Sequence, residues 1–248
     1  MLKVRQIGDP QLHLVPAKAD LSKIDLVQNY ITILQEVKNL YGGVGIACNQ
    51  CLEITNPIQL ALVGVGDEKS KVEAQKRYPH EQIPSTTIMI NPTIVGYSQE
   101  TYYPTYGEGC LSVFGPIRGK VRRYSRITVQ YQTLEGYIIK REVEGFEAHI
   151  IQHEYDHLLG IVYLQRIFQD CTLASKELIA TLLDREINNR QNRLPYNGTV
   201  SNQPILVFDR KEDQVIFEPT LLSLLLTQLE NSTLLGMKQC LQSPHPLH

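Results

Sequence analysis

Apolar side chains recur at Ile24, Leu26, Val27, Tyr30, Ile31, Ile33, Leu34, Val37 and Leu40, which predicts an amphipathic helix over 24–40 with a wide buried stripe. Gly42 and Gly43 follow directly and predict the end of that helix and a tight loop. From about residue 58 to 143 the period shortens toward two. The runs IQLALVGV, TTIMINPTIVGY and ITVQYQTLEGYIIKREV predict antiparallel strands, with Leu134-Glu135-Gly136-Tyr137 as a hairpin turn. The charged stretch between Gly66 and Pro84 reads as a surface loop. Helical spacing returns over 145–159, with Gly160 as its stop, and again over about 173–192. The segment RLPYNGTVSNQP (193–204) reads as a linker. Beyond it ILVFDRKEDQVIF predicts a small hairpin, and Pro219 can open a short helix, TLLSLLLTQLE.

This order predicts an α+β fold: antiparallel β-sheets packed around a central helix over 145–159, then a C-terminal helix and an extra C-terminal extension. The expected organisation is a catalytic domain over 1–192, a linker over 193–204 and an extension over 205–248. The extension can pack back on the core, mediate self-association or contact a partner. A stabilising cap is its plainest reading.

Composition narrows the classes. The chain has 248 residues and a formal net charge of −2, so no global charge draws it to nucleic acid or an anionic membrane. Five cysteines, an odd number without a regular framework, favour a reducing compartment over a disulfide scaffold. The opening residues lack an apolar signal core, and Leu221–Leu226 is too short to span a bilayer, so a cytoplasmic protein without a membrane partner is expected.

The strongest chemical signal is His153-Glu154-Tyr155-Asp156-His157. Histidines at i and i+4 leave one helix face a turn apart, so two imidazole nitrogens can converge on one ion. Glu154 is rotated about 100° from His153 and can face the open side of that ion as a base without ligating it. Apolar neighbours (Phe146, Ala148, Ile150, Ile151, Leu158, Leu159) bury the pair, and buried imidazoles need partners. A catalytic site also needs a third protein ligand. No histidine follows until His245, and the better candidate lies upstream, in Glu108-Gly109-Cys110-Leu111-Ser112. A cysteine thiolate is a strong ligand, whereas a cysteine taken alone is more often a small buried hydrophobe.

EGCLS (108–112), QHEYDHL (152–158) and GVGIACNQ (43–50) together resemble the three signature motifs of peptide deformylases, in the family's order and at similar spacing. The resemblance extends over roughly residues 1–168, through IGDPQLHLV, RYP…INP and VRRYSRITVQYQTLEG. Two departures stand out: Cys48 replaces the second Ala of the first motif, and Phe114 sits where Pro commonly follows CLSV. The resemblance implies a hydrolase that removes the formyl group from the N-terminal methionine of new proteins. It assigns Cys110, His153 and His157 as metal ligands, Glu154 as general acid/base, and Gln50 with the Leu111 N–H as oxyanion donors.

The physical reading of the residues agrees with these roles. Gly43, Val44 and Gly45 are expected to rim the substrate groove, where missing side chains let an extended peptide pair with the backbone. Gly109 lets backbone approach the ligand. Phe146, His149 and Ile150, with Val44 opposite, are expected to wall the methionine pocket. The donor set reads as zinc on ligand softness, whereas the resemblance implies Fe2+ as the working ion, with Ni2+, Co2+ or Zn2+ able to substitute. The expected partners are N-formylmethionyl peptides and nascent chains, with no direct nucleic-acid binding beyond the ribosome.

Cys48-Asn49-Gln50-Cys51 is a CxxC without a second pair or a thioredoxin-like setting, so Cys51 reads as an apolar-site residue and Cys48 as an accessible thiol near the groove. The basic run Arg118, Lys120, Arg122, Arg123 and Arg126 splits between two strand faces and reads as a solvated sheet face, with Arg123 expected to pair with Asp156. Two competing readings are a metalloendopeptidase, which would want a downstream third ligand, and a binding module, which would lack Glu154, Cys110 or Gln50.

Overall fold

The stripe read over 24–40 folds as predicted. In a computed structural model, α1 spans Ile24–Leu40 and buries Val27, Ile31, Leu34 and Val37. The structure describes residues 2–104, 107–113, 117–169, 173–191, 205–211, 214–216, 226–227 and 229–242. These residues divide into two compact units.

The first unit comprises Met1–Arg5, Pro10–Tyr102 and Arg122–Ile161. Its main sheet orders five antiparallel strands as β1 (Gly45–Ala47), β2 (Leu60–Val63), β3 (Thr87–Tyr97), β7 (Arg126–Gln132) and β8 (Ile138–Glu144). Short strands β4 (Thr101–Tyr102) and β6 (Arg123–Tyr124) pair separately. All four residues of β2 are buried, as a continuous apolar run at the sheet's interior requires. In β7 the alternation turns Ile127, Val129 and Tyr131 inward. The β7–β8 turn falls at the predicted residues, with Gly136 at φ +87°. Helix α3 (Gly145–Leu158) packs on β1, β2, β7 and β8, and Gly160 ends its run at φ +74°. A side chain at 160 would meet the His13 carbonyl at 2.5 Å, so both conformation and space demand glycine there.

One expectation fails here. The polar stretch 66–84 is not loop throughout, because α2 forms over Glu68–Arg77. Asp67 caps it, accepting from the Ser70 N–H at 2.9 Å, with Glu68 in the first turn and Lys76 and Arg77 in the last. Only Ala74 of this helix is buried.

The second unit comprises Gln6–Asp9, Tyr103–Val121 and Val162–His248. It holds β5 (Ile117–Gly119), α4 (Tyr163–Gln169, not anticipated), α5 (Leu173–Gln191), the hairpin β9 (Ile205–Lys211) and β10 (Gln214–Ile216), and α6 (Asn231–Gln242). The hairpin read over 205–217 forms, and β9 also pairs in parallel with β5. The linker 193–204, Phe114, Cys171 and most of the helix expected after Pro219 lie outside the described residues. One apolar core gathers Ile7, Val113, Ile117, Val121, residues of α4 and α5, and Leu234, Met237 and Cys240 of α6.

Candidate metal centre

Helix α3 delivers the first motif. His153 and His157 sit one turn apart with ring centroids 5.1 Å apart and ring planes at 76°. His157 is fully buried, and its backbone carbonyl accepts the Asn49 side-chain amide at 2.7 Å. Asn49, itself fully buried, also donates to the Leu12 carbonyl at 3.3 Å, so the turn carrying Gln50 is stitched to the end of the histidine helix. Asp156 accepts from Arg123 at 2.7 Å, each side chain about 5% exposed, as the sequence led one to expect. Gln152 holds the strand on which Arg123 sits: it accepts from the Tyr124 N–H and donates to the Tyr124 carbonyl, both at 2.9 Å. Sequence reasoning passed over Asn49 and Gln152, although each lies inside a signature motif. Their polarity at buried positions was the available signal.

The Glu154 carboxylate is 4% exposed and lies against β1. A Cβ built on Gly45 would stand 2.8 Å from Ile150 Cγ2 and 2.9 Å from Glu154 Cδ, so glycine is what lets the strand pass the carboxylate. Strand β1 is an edge of the five-stranded sheet. Just before it, the Gly43 N–H donates to the Lys38 carbonyl at 2.8 Å, and the Val44 carbonyl accepts the Gly64 N–H at 2.7 Å. Lys38 is itself buried and donates to the Gly64 carbonyl at 2.9 Å, and burial holds its ammonium below the ordinary lysine range. Gln50 is 2% exposed, and its side-chain oxygen accepts the Ala47 N–H at 2.8 Å. A backbone N–H can only donate, so this bond fixes the amide's orientation and makes the nitrogen its donor end.

Phe146, His149 and Ile150 are all buried on α3. The Phe146 ring tilts against Tyr78 at 4.7 Å and meets His149 edge-on at 5.8 Å, and Tyr102 approaches His149 at 6.5 Å. Val44 packs against the same cluster.

Cys110 lies on a tight turn of the second unit. The Ser112 N–H donates to its sulfur at 3.4 Å, and the Val113 N–H to its carbonyl at 3.1 Å. The Leu111 carbonyl accepts from Gln6 at 3.0 Å. Gly109 has a physical reason to be glycine, since a Cβ there would stand 3.1 Å from the Arg118 guanidinium, which in turn holds the Gly107 carbonyl at 2.9 Å. The basic run is split: Arg118 and Arg123 are spent on internal partners, whereas Arg122 and Arg126 are exposed as a solvated face requires.

Among the described residues, one group offers three metal-ligand atoms within 4.8 Å of one another: the Cys110 sulfur and one ring nitrogen each of His153 and His157. A soft sulfur with two imidazoles suits a divalent transition ion, and no third carboxylate or histidine is needed from downstream. The fit is good.

The CxxC reading holds for Cys51 as an apolar-site residue and is corrected for Cys48. Cys48 is fully buried and not an accessible thiol, and burial pushes it up to about 12. Cys51 is equally buried and raised for the same reason, so both thiols stay protonated and inert. Among the described residues no helix is long and apolar enough to cross a membrane.

Comparison with known proteins agrees with this geometry. The family described as polypeptide deformylase matches residues 1–173. Peptide deformylase 1 of Prochlorococcus marinus (strain MIT 9313) is 34% identical over 167 residues, 66% of this chain and 80% of that protein. Peptide deformylase 2 of Nostoc sp. is 34% identical over 177 residues, 71% and 92% of the two chains. Among solved structures, the class I type b peptide deformylase from Acinetobacter baumannii, bound to Met-Ala-Ser, aligns with a TM-score of 0.58 at 30% identity, over 67% of this chain and 98% of that one. The enzyme from Thermotoga maritima aligns with a TM-score of 0.54 at 29% identity, over 67% and 97%. Residues 1–173 thus carry the match, and the chain belongs to the peptide deformylase family, metal-dependent hydrolases that remove the N-formyl group from nascent polypeptides.

Proposed function

We propose that Cys110, His153 and His157 hold the catalytic ion, Fe2+ in the cell with Zn2+, Ni2+ or Co2+ able to replace it, and that Glu154 is the general acid/base. When bound, the ion supplies the Lewis acidity that makes water a competent nucleophile near neutral pH. Glu154 takes the proton from the attacking water and returns it to the departing amine, leaving formate and a free methionine N-terminus. The Gln50 amide nitrogen and the Leu111 N–H donate to the formyl oxygen as charge gathers on it. Losing one such donor is worth about 3 kcal/mol of transition-state stabilisation.

The formylmethionyl peptide lies along the open edge of β1, paired with the backbone of Gly43, Val44 and Gly45 as an added strand. Gly109 keeps the facing backbone free of a side chain, and Phe146, His149 and Ile150 with Val44 wall the methionine pocket. The Acinetobacter baumannii structure holds Met-Ala-Ser, a methionine-led peptide of the kind this reading requires. Helix α3 acts as the central element of the catalytic core, and the reaction takes place in the cytoplasm on nascent chains.

The observation that carries the reading is the Glu154 carboxylate lodged against Gly45, one residue from a ligand and beside the strand edge. A formate-release assay on formyl-Met peptides tests it. Glu154→Ala should lower kcat/KM by about 10²–10⁴ while metal content stays at the wild-type level. Equal turnover in the two proteins, or cleavage of unformylated internal bonds, would defeat it.

A further inference from the structure

The family match ends at residue 173, and the Acinetobacter baumannii enzyme is spanned almost entirely by two-thirds of this chain. The last third therefore adds something which that relative lacks. Within the second unit, its helix α6 shares a core with the turn that carries Cys110. Leu234, Met237 and Cys240 are buried with Val113 and Ile117, and Cys110 packs against that cluster. Tyr163 is wholly buried in the same core and donates to the Ile117 carbonyl at 2.9 Å.

A second connection runs through the backbone. The Ile7 N–H donates to the Ser112 carbonyl at 2.7 Å, and the Gln6 side chain donates to the Leu111 carbonyl at 3.0 Å. These are the two residues that follow the cysteine. Helix α6 presses directly on that same segment at Gly236. A Cβ there would stand 2.5 Å from Ile7 Cγ1 and 2.6 Å from the Gly8 nitrogen. Gly8, at φ +100°, bends away beneath the helix with its own closest approach to the Ser232 carbonyl.

We infer that α6 is a positioning element for the metal-ligating thiolate: through residues 6–8 and the shared apolar core it fixes the turn 110–112, so the C-terminal extension governs how firmly the ion is held. This rests on the reading of Cys110 as a ligand. A mere cap would exclude water from the core, but it would not be coupled to the two backbone carbonyls behind the sulfur. Helix α6 is coupled to them.

The test uses the full-length protein loaded with Co2+, whose affinity is measured by chelator competition and whose cobalt–thiolate absorption reports the sulfur bond. Gly236→Val wedges α6 off residues 7 and 8, Met237→Ala loosens the core more gently, and Gln239→Ala alters only the exposed face. The first two should weaken Co2+ binding tenfold or more and dim the thiolate band, while hydrogen exchange in α1 and α3 stays unchanged and Gln239→Ala matches wild type. If Gly236→Val does not fold, Met237→Ala decides. Faster exchange in α6 with Co2+ affinity and the thiolate band both within twofold of wild type would overturn the inference. Failure of the underlying reading looks different: Cys110→Ser would then keep full Co2+ affinity and the same band, whatever the α6 variants do.

Discussion

At the scale of single residues, the site depends on polar groups that are buried because each has a specified partner. The Arg123–Asp156 pair is the clearest case, with both side chains about 5% exposed and one hydrogen bond of 2.7 Å between them. Replacing such a pair with apolar residues is often neutral, whereas removing one partner strands a buried charge at a cost of about 3–5 kcal/mol. Arg123→Ala should therefore lower the unfolding free energy by roughly that amount in urea titrations and reduce metal content at purification. A variant as stable and as fully metallated as wild type would show the pair to be dispensable. The Cys110, His153 and His157 group was legible from sequence because chemistry restricts residue type and spacing. Cys48 was misread because its burial is decided by strands and a segment distant in sequence. Asn49 and Gln152 make long-range bonds to backbone, and nothing in their local sequence announces those partners.

Elements follow the same division. Strong periodicity located α1 and the β7–β8 hairpin to within a residue or two, because one buried face imposes a repeat. Helix α2 was missed because it buries only Ala74 and therefore has no apolar stripe; its caps and helix-forming residues carry it. Strand β1 is three residues long, too short for any period, yet it passes the Glu154 carboxylate more closely than any side chain would allow. Gly45→Ala must displace both Ile150 and the Glu154 carboxylate, and the carboxylate end is the softer of the two. Turnover should fall tenfold or more with KM changed less, while the melting temperature moves only slightly. Steady-state kinetics on formyl-Met peptides beside calorimetry would reveal the split. A large loss of stability with normal turnover in the folded fraction would refute it.

The molecule as a whole carries several acids whose charged forms are disfavoured by burial. Cys48 and Cys240 are pushed up to about 12, and Cys51, Tyr30, Tyr155 and Tyr163 are raised as well. In the unfolded chain these groups ionise near their ordinary values, so the unfolded state gains from alkali what the folded state cannot. Stability is intact below about pH 9 and declines as the pH climbs toward 12. Lys38 runs the other way, since its lowered folded value favours the folded chain as protons are removed. Cys48 alone, displaced from 9.0 to about 12, contributes a loss of about 2 kcal/mol by pH 10.5. Urea midpoints measured from pH 8 to 10.5 should fall accordingly, and Cys48→Ala should flatten the slope. A midpoint constant across that range would contradict the argument.

The contact between Gly8 and Gly236 sets an order of events in biosynthesis. Synthesis runs from the N-terminus, so the segment 6–9 waits until residues 231–242 are made before its partner helix exists. Strand β5 likewise waits for β9 to be made. Pairings this far apart in sequence carry a large loop-closure entropy and form late. The sheet with α1 and α3 can consolidate first, whereas the unit bearing Cys110 is complete only once α6 has been made. A member of a family that trims nascent chains would thus complete the core behind Cys110 only after α6 has itself been synthesised.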